Sequence, residues 1–175
     1  MLKILLPVLV LAIAAVLVYA ATRPGTFRVE RSAGISAPPE KIFALINDLR
    51  LWTSWSPWEG IDPALKRTYR GAASGKGAVY AWEGNNKVGA GRMEILESAP
   101  GSRIVIKLDF FKPFEGHNTA EFTLARKDGV TTVNWAMFGP SPYMSKLMGV
   151  VINMDRMIGG QFETGLANLK SIAEK

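Results

Sequence analysis

The chain has 175 residues, a single histidine, no cysteine and a formal net charge of +6. Lack of cysteine removes thiol nucleophiles, thiolate metal ligands and disulfides, and one histidine alone does not make a transition-metal centre. Lysines and arginines are spread singly from Arg23 onward, mostly with an acid nearby, so they form no nucleic-acid-binding stripe; a weak attraction to anionic lipid headgroups fits them better.

The first element is apolar. Ile4 to Ala21 carries no charge, and at about 1.5 Å per helical residue it is just long enough to cross a bilayer core. Residues 1–22 are therefore read as a single-pass membrane anchor. The competing reading is a cleaved export signal, because Lys3 gives a charged start and Val18-Tyr19-Ala20 a small-residue cleavage site. The apolar run exceeds a typical signal core, which favours the anchor. With Lys3 on one side and Arg23, Arg28 and Arg31 on the other, the charge count places the rest of the chain in the cytoplasm, by a thin margin. Thr22-Arg23-Pro24-Gly25 stops the helix, residues 23–26 form a linker, and residues 27–175 make one domain. A soluble part of roughly 150 residues buries enough surface to fold without a metal or disulfide.

Phe27 to Ser36 reads as a strand. Ala37-Pro38-Pro39-Glu40 then has the marks of a helix start, with proline in the first turn and an acid near the N-terminus, and the helix carries Ile42, Phe43, Leu45 and Ile46 on its apolar side to Asn47 or Asp48. Trp52, Trp55 and Trp58 recur at spacing three, which stacks them on one face of a helical turn that Pro57 ends. After Gly60 the period changes to two, and six strands are predicted: Leu65 to Arg70, Gly77 to Glu83, Val88 to Ser98, Arg103 to Phe110, Asn118 to Arg126 and Val130 to Phe138. Gly84-Asn85-Asn86 and Asp128-Gly129 are hairpin signals, with Asn85 and Asn86 suited to positive φ, so consecutive strands pair antiparallel. From Pro142 to Glu174, Leu147, Val151, Met154, Ile158, Phe162, Leu166 and Leu169 keep helical spacing and predict one long amphipathic helix. Gly159 and Gly160 inside it suggest close packing on the sheet. The fold class is α+β: a seven-stranded curved antiparallel sheet around a long C-terminal helix, preceded by a transmembrane segment.

Four blocks carry a family resemblance: Ala37-Pro38-Pro39-Glu40-Lys41-Ile42-Phe43; Asn47-Asp48-Leu49-Arg50-Leu51-Trp52 through Trp58; Tyr80-Ala81-Trp82-Glu83-Gly84-Asn85-Asn86 leading to Gly89-Ala90-Gly91-Arg92-Met93; and Phe162-Glu163-Thr164-Gly165-Leu166 through Lys170. With these landmarks the chain from Phe27 onward resembles the START-like (SRPBCC, Bet v 1-like) polyketide cyclase/dehydrase and lipid-transport family. The resemblance implies a helix-grip fold and binding of apolar or amphipathic ligands such as lipids, quinones, sterols or polyketides. Only some such proteins are catalysts, and the landmark residues look structural.

Residues at i and i+2 of a strand share a face, so parity selects the residues that could line a cavity. Tyr80 and Trp82, Met93 and Ile95, Ile104, Ile106, Leu108 and Phe110, Ala120, Phe122 and Leu124, and Val133, Trp135 and Met137 fall on the inner face. From these, Tyr80, Trp82, Met93, Ile106, Leu108, Phe110, Phe122, Trp135 and Met137, with Met154, Ile158 and Phe162 of the closing helix, are the ligand-lining candidates; each could equally be core. Arg31 shares the face of Val29 and Ile35 and is either a headgroup anchor at the cavity mouth or a strand-end arginine reaching solvent. His117 falls on the outer face, so no catalytic residue is assigned. There is no glycine-rich loop ending in Gly-Lys-Ser or Gly-Lys-Thr, no HExxH and no GxSxG, and no cofactor or metal is expected. The sequence reading is a membrane-tethered module binding a hydrophobic small molecule. A cyclase or dehydratase drawing on Tyr80, Arg31 and Tyr143, and a ligand-free interaction domain, are the alternatives.

Overall fold

The computed structural model describes the backbone from Leu2 to Lys175 and side chains from Leu6 onward; Lys3, Ile4 and Leu5, on which part of the anchor reading rests, lie outside the described side chains. The helix α1 (Leu2–Thr22) leads into β1 (Thr26–Ile35), followed by α2 (Pro39–Asn47) and a 3-10 turn (Leu51–Ser54). Six strands come next: β2 (Lys66–Gly71), β3 (Ala78–Glu83), β4 (Ala90–Ala99), β5 (Arg103–Lys112), β6 (Gly116–Lys127) and β7 (Val130–Pro140). Two helices, α3 (Tyr143–Val151) and α4 (Met154–Ala173), close the chain. All neighbouring strands are antiparallel in the order β1-β7-β6-β5-β4-β3-β2, so the sheet is a meander with the first strand returned to its far edge.

Inner positions follow the predicted parity. Ile104, Ile106, Phe122 and Val133 are fully buried, whereas Lys107, Glu121 and Asn134 point outward and are less covered. The β6–β7 hairpin turns at Asp128 (φ 51°) and Gly129 (φ 82°), as that dipeptide predicts. The β3–β4 connection differs. Positive φ falls on Gly89 (68°) and not on Asn85 or Asn86; Asn85 instead accepts a hydrogen bond on its side chain from the Lys87 N–H at 2.9 Å.

The two indoles after α2 are helix caps as well as core. Trp52 Nε1 donates to the Ile46 carbonyl at 2.8 Å and Trp55 Nε1 to the Leu45 carbonyl at 3.1 Å, which satisfies carbonyls left over at the end of α2. The helical turn is shorter than spacing three predicts, and Trp58 lies beyond it, half-buried.

The predicted single closing helix is two. Ile152 is extended (φ −107°, ψ 122°), and Asn153 caps α4 by accepting from the Arg156 N–H at 2.9 Å. Three β-branched residues, Val150-Val151-Ile152, weaken the helix where an N-capping asparagine offers a better arrangement. Helix α4 lies along β1 and buries Phe162, Gly165, Leu166, Leu169 and Ala173. Helix α3 buries nothing on the sheet and packs on α1. Among the described side chains, no helix is long and apolar enough to cross a membrane.

Candidate functional site

The concave face of the sheet carries two groups of aromatic rings. Beneath α4 the Trp135 ring is sandwiched between Phe122, with centroids 4.8 Å apart, and Phe162 at 4.1 Å. Trp52, Trp55 and Trp58 meet Trp135 edge-on at 6.1, 5.6 and 5.7 Å. Gly165 lets α4 approach, because a Cβ there would stand 2.8 Å from the Trp135 ring. This group is solid aromatic core, with one anomaly: Trp135 Nε1 is buried without a hydrogen-bond partner.

The other group lies toward the end of the sheet where β1 begins and β7 ends, beside α1 and α3. Strand register sets Leu108, Met93, Tyr80 and Tyr69 in one row across the sheet, and Phe110, Gly91, Trp82 and Arg67 in the next. The rings run in sequence: Tyr69 on Tyr80 at 5.2 Å, Tyr80 on Trp82 at 5.9 Å, and Trp82 edge-on to Phe110 at 5.8 Å. Gly91 is required for this course, since any Cβ would collide with the Trp82 ring lying over it. Phe27, Trp58, Tyr69, Trp82, Phe110 and Ile158 are partly buried against the core, which holds Tyr80, Met93 and Leu108 together with Phe122 and Trp135.

One polar cluster enters this apolar surface. Tyr80 Oη donates to Glu59 Oε1 at 2.7 Å, and Arg67 Nε donates to Glu59 Oε2 at 2.6 Å, while the Glu59 side chain is 8 % exposed. Burial, and then the hydrogen bond to Glu59, push the Tyr80 phenol far above the usual tyrosine range, so it stays protonated and donating. Glu59 is absent from the sequence reading. It sits in an irregular loop where periodicity says nothing, and only the pairing with β2 and β3 reveals it.

The structure brings together Tyr80, Trp82, Met93, Leu108 and Phe110 of the predicted lining, with Ile106 and Met137 buried in the adjoining row and Ile158 partly buried. Phe122, Trp135 and Phe162 belong to the group beneath α4. Met154 is 38 % exposed in the first turn of α4. Arg31 is neither free nor reaching into solvent: its guanidinium binds both carboxylate oxygens of Asp155 (3.1 and 2.9 Å) and Glu163 Oε1 (2.7 Å), which draws α4 onto β1. Tyr143 Oη donates to the Leu17 carbonyl of α1 at 3.0 Å. Tyr80, Arg31 and Tyr143 thus each bind different partners, Glu59, the α4 carboxylates and α1 respectively.

His117 is on the outer face, as parity places it, with Nδ1 2.7 Å from Asp109 Oδ1. Burial alone would raise the Asp109 carboxyl, but hydrogen bonds from His117 and Lys107 outweigh it and hold the group below the ordinary carboxylate range. Among the described residues, no group of three histidine or carboxylate side chains is placed to hold a metal ion.

The family model described as polyketide cyclase / dehydrase and lipid transport matches residues 26–174. Among solved structures, the di-domain ARO/CYC BexL from the BE-7585A biosynthetic pathway is similar at 16 % identity and a TM-score of 0.67, over 90 % of this chain and 53 % of that one. Ginseng major latex-like protein 151 from Panax ginseng aligns at 10 % identity and a TM-score of 0.63, over 87 % of this chain and 100 % of that one. Protein CV1439 from Chromobacterium violaceum aligns at 18 % identity and a TM-score of 0.59, over 87 % and 99 %. At these identities the likeness is one of fold. A search among curated proteins finds no match.

Proposed function

The chain belongs to the polyketide cyclase/dehydrase and lipid transport family, and from that premise we propose that it is a membrane-tethered module binding a hydrophobic small molecule: a lipid, a quinone or a polyketide-like compound. The ligand lies on Met93, Leu108 and Phe110 at the α1 end of the concave face, under the rim of Phe27, Trp58, Trp82 and Ile158. The observation that carries this reading is the partial exposure of that rim: Phe27, Trp58, Trp82 and Ile158 are large apolar side chains left partly uncovered at the edge of the core. Glu59, Tyr80 and Arg67 supply the few polar groups that would orient an otherwise apolar ligand.

The tether is α1. Its backbone helix of 21 residues extends about 31 Å at 1.5 Å per residue, against a hydrocarbon core of about 30 Å. In the sequence the apolar run continues before Leu6 with Leu2, Ile4 and Leu5, interrupted by Lys3. From Leu6 to Tyr19 the apolar side chains stand largely exposed, Leu6 by 65 % and Leu11 by 70 %, a surface that water disfavours and lipid does not. By charge count the domain lies on the cytoplasmic side.

The test is native mass spectrometry of the full-length chain released in mild detergent, followed by organic extraction. A retained lipid or quinone is the expected result. Recovery of an empty chain, together with no thermal stabilisation by a panel of lipids and quinones, would overturn the reading in favour of a ligand-free interaction domain.

A further inference from the structure

Helix α3 has no buried residue, yet it is mostly apolar and carries one charge, Lys146. One of its faces is engaged: Leu147 closes an apolar groove with Ala12, Ile13, Val16 and Leu17, and Tyr143 bonds the Leu17 carbonyl. The next face carries Met144, Met148 and Val151 at helical spacing i, i+4, i+7. Met144 is 65 % exposed and Val151 88 %, and the surface continues through Ile152 and Met154 to Met157, which is 53 % exposed. At the same end of the sheet the β5–β6 turn exposes Phe111 and Phe114.

We propose that α3 and the first turn of α4 form a second, in-plane contact with the lipid bilayer, seated at the boundary between headgroups and acyl chains. The argument is one of depth, and it rests on α1 being in the membrane. The α3 contacts on α1 fall at Ala12 to Leu17, five to ten residues before the helix ends at Thr22. At 1.5 Å per residue, that sets α3 about 8–15 Å below the end of α1. An element fixed there by packing enters the bilayer with α1, and its free face of methionine, valine and isoleucine meets acyl chains. An in-plane helix is buried by about 5–10 Å, and the shallow part of the range, where Tyr143 bonds the Leu17 carbonyl, is the part that fits. Arg23, Lys146 and Arg156 put positive charge within or beside these segments, as anionic headgroups would favour. The bilayer contact thus includes the helix break at Ile152-Asn153 and the start of α4, next to Ile158 on the ligand rim.

The chain has no cysteine, so single cysteines report position cleanly. Leu9→Cys, Met144→Cys, Val151→Cys and Asp128→Cys, each in the full-length chain and labelled with nitrobenzoxadiazole, are reconstituted in vesicles of equal parts phosphatidylcholine and phosphatidylglycerol. The expected result is a several-fold brighter, blue-shifted signal at Leu9, Met144 and Val151, quenched by lipids spin-labelled on the acyl chain, with Asp128 unaffected. Quenching at Leu9 but not at Met144 or Val151 would overturn the α3 contact and leave the tether standing. No quenching at Leu9, Met144 or Val151 would overturn both. Quenching at Met144 and Val151 without Leu9 would overturn the tether and, with it, the depth argument for α3. Equal quenching at Asp128 would mean non-specific adsorption and would overturn the assignment of this face.

Discussion

The guanidinium of Arg31 occupies the space that a side chain at Gly159 would need. It reaches across from β1, grips Asp155 and Glu163 on either side of Gly159, and adds a bond from Nη2 to the Asp155 carbonyl. The missing Cβ is what lets a charged side chain lie flat on a helix. Its neighbour Gly160 has nothing within 4 Å of the same point.

Adjacent glycines should therefore respond unequally. Gly159→Ala displaces the Arg31 guanidinium, a flexible and partly exposed group, so the lost ion pairs are expected to cancel the gain of about 0.5–1 kcal/mol that alanine brings in helix propensity. Gly160→Ala should keep that gain of about 0.5–1 kcal/mol. Paired denaturant melts decide it; equal gains at both positions would mean that the close approach does not constrain α4.

The same clasp predicts an acid-sensitive contribution to stability. The hydrogen bond from Arg31 holds the Asp155 carboxyl below the ordinary carboxylate range. A group depressed in the folded state stabilises the fold above its unfolded pKa of about 3.9 and loses that effect as pH falls through the lower folded value. Between about pH 5 and pH 2, Tm should therefore fall more steeply for the native chain than for Arg31→Met. Since Asp155 is exposed, added salt should narrow the difference. Parallel acid slopes would count against the clasp.

Glu59→Gln keeps the shape of the polar cluster and removes its charge. Tyr80 and Arg67 lose a charged acceptor, with an expected cost of about 1–2 kcal/mol, tempered because the Arg67 side chain is 29 % exposed. The Tyr80 phenol should titrate at lower pH once the carboxylate beside it is neutral, an effect readable as tyrosinate absorbance in alkaline solution. An unchanged alkaline titration would mean that burial alone holds the phenol.

Gly91→Ala should displace the Trp82 ring from β4, shift its fluorescence, and cost about 1–3 kcal/mol. If the rings from Tyr69 to Phe110 form the ligand surface, this variant also retains less of any co-purifying apolar molecule. Native mass spectrometry beside the parent chain reads that loss; full retention with a moved Trp82 would shift the ligand elsewhere.

Period-two alternation was enough to place all seven strands and the inner face of β3 to β7, because burial on one side of a sheet writes itself into every second residue. What escaped is what depends on partners distant in sequence. Nothing local marks Glu59 as the acceptor for Tyr80, or tells that Arg31 pairs with Asp155, 124 residues away. Parity also does not rank the inner residues: Phe122 and Trp135 share their alternation with Tyr80 and Trp82, and only the position of α4 sets Phe162 on Trp135. The break before α4 was legible in principle, since Asn153 comes after three β-branched residues, but an unbroken run of apolar spacing from Leu147 to Leu169 masks it.

Strand order has a consequence for molecules crowded on one surface. β2 ends the sheet, and its outer backbone is unpaired; a second copy could add a strand there. Lys66, Arg67 and Arg70 leave that edge exposed and strongly positive. Two such edges repel, so copies brought together at high density can lie side by side without their sheets joining into aggregates.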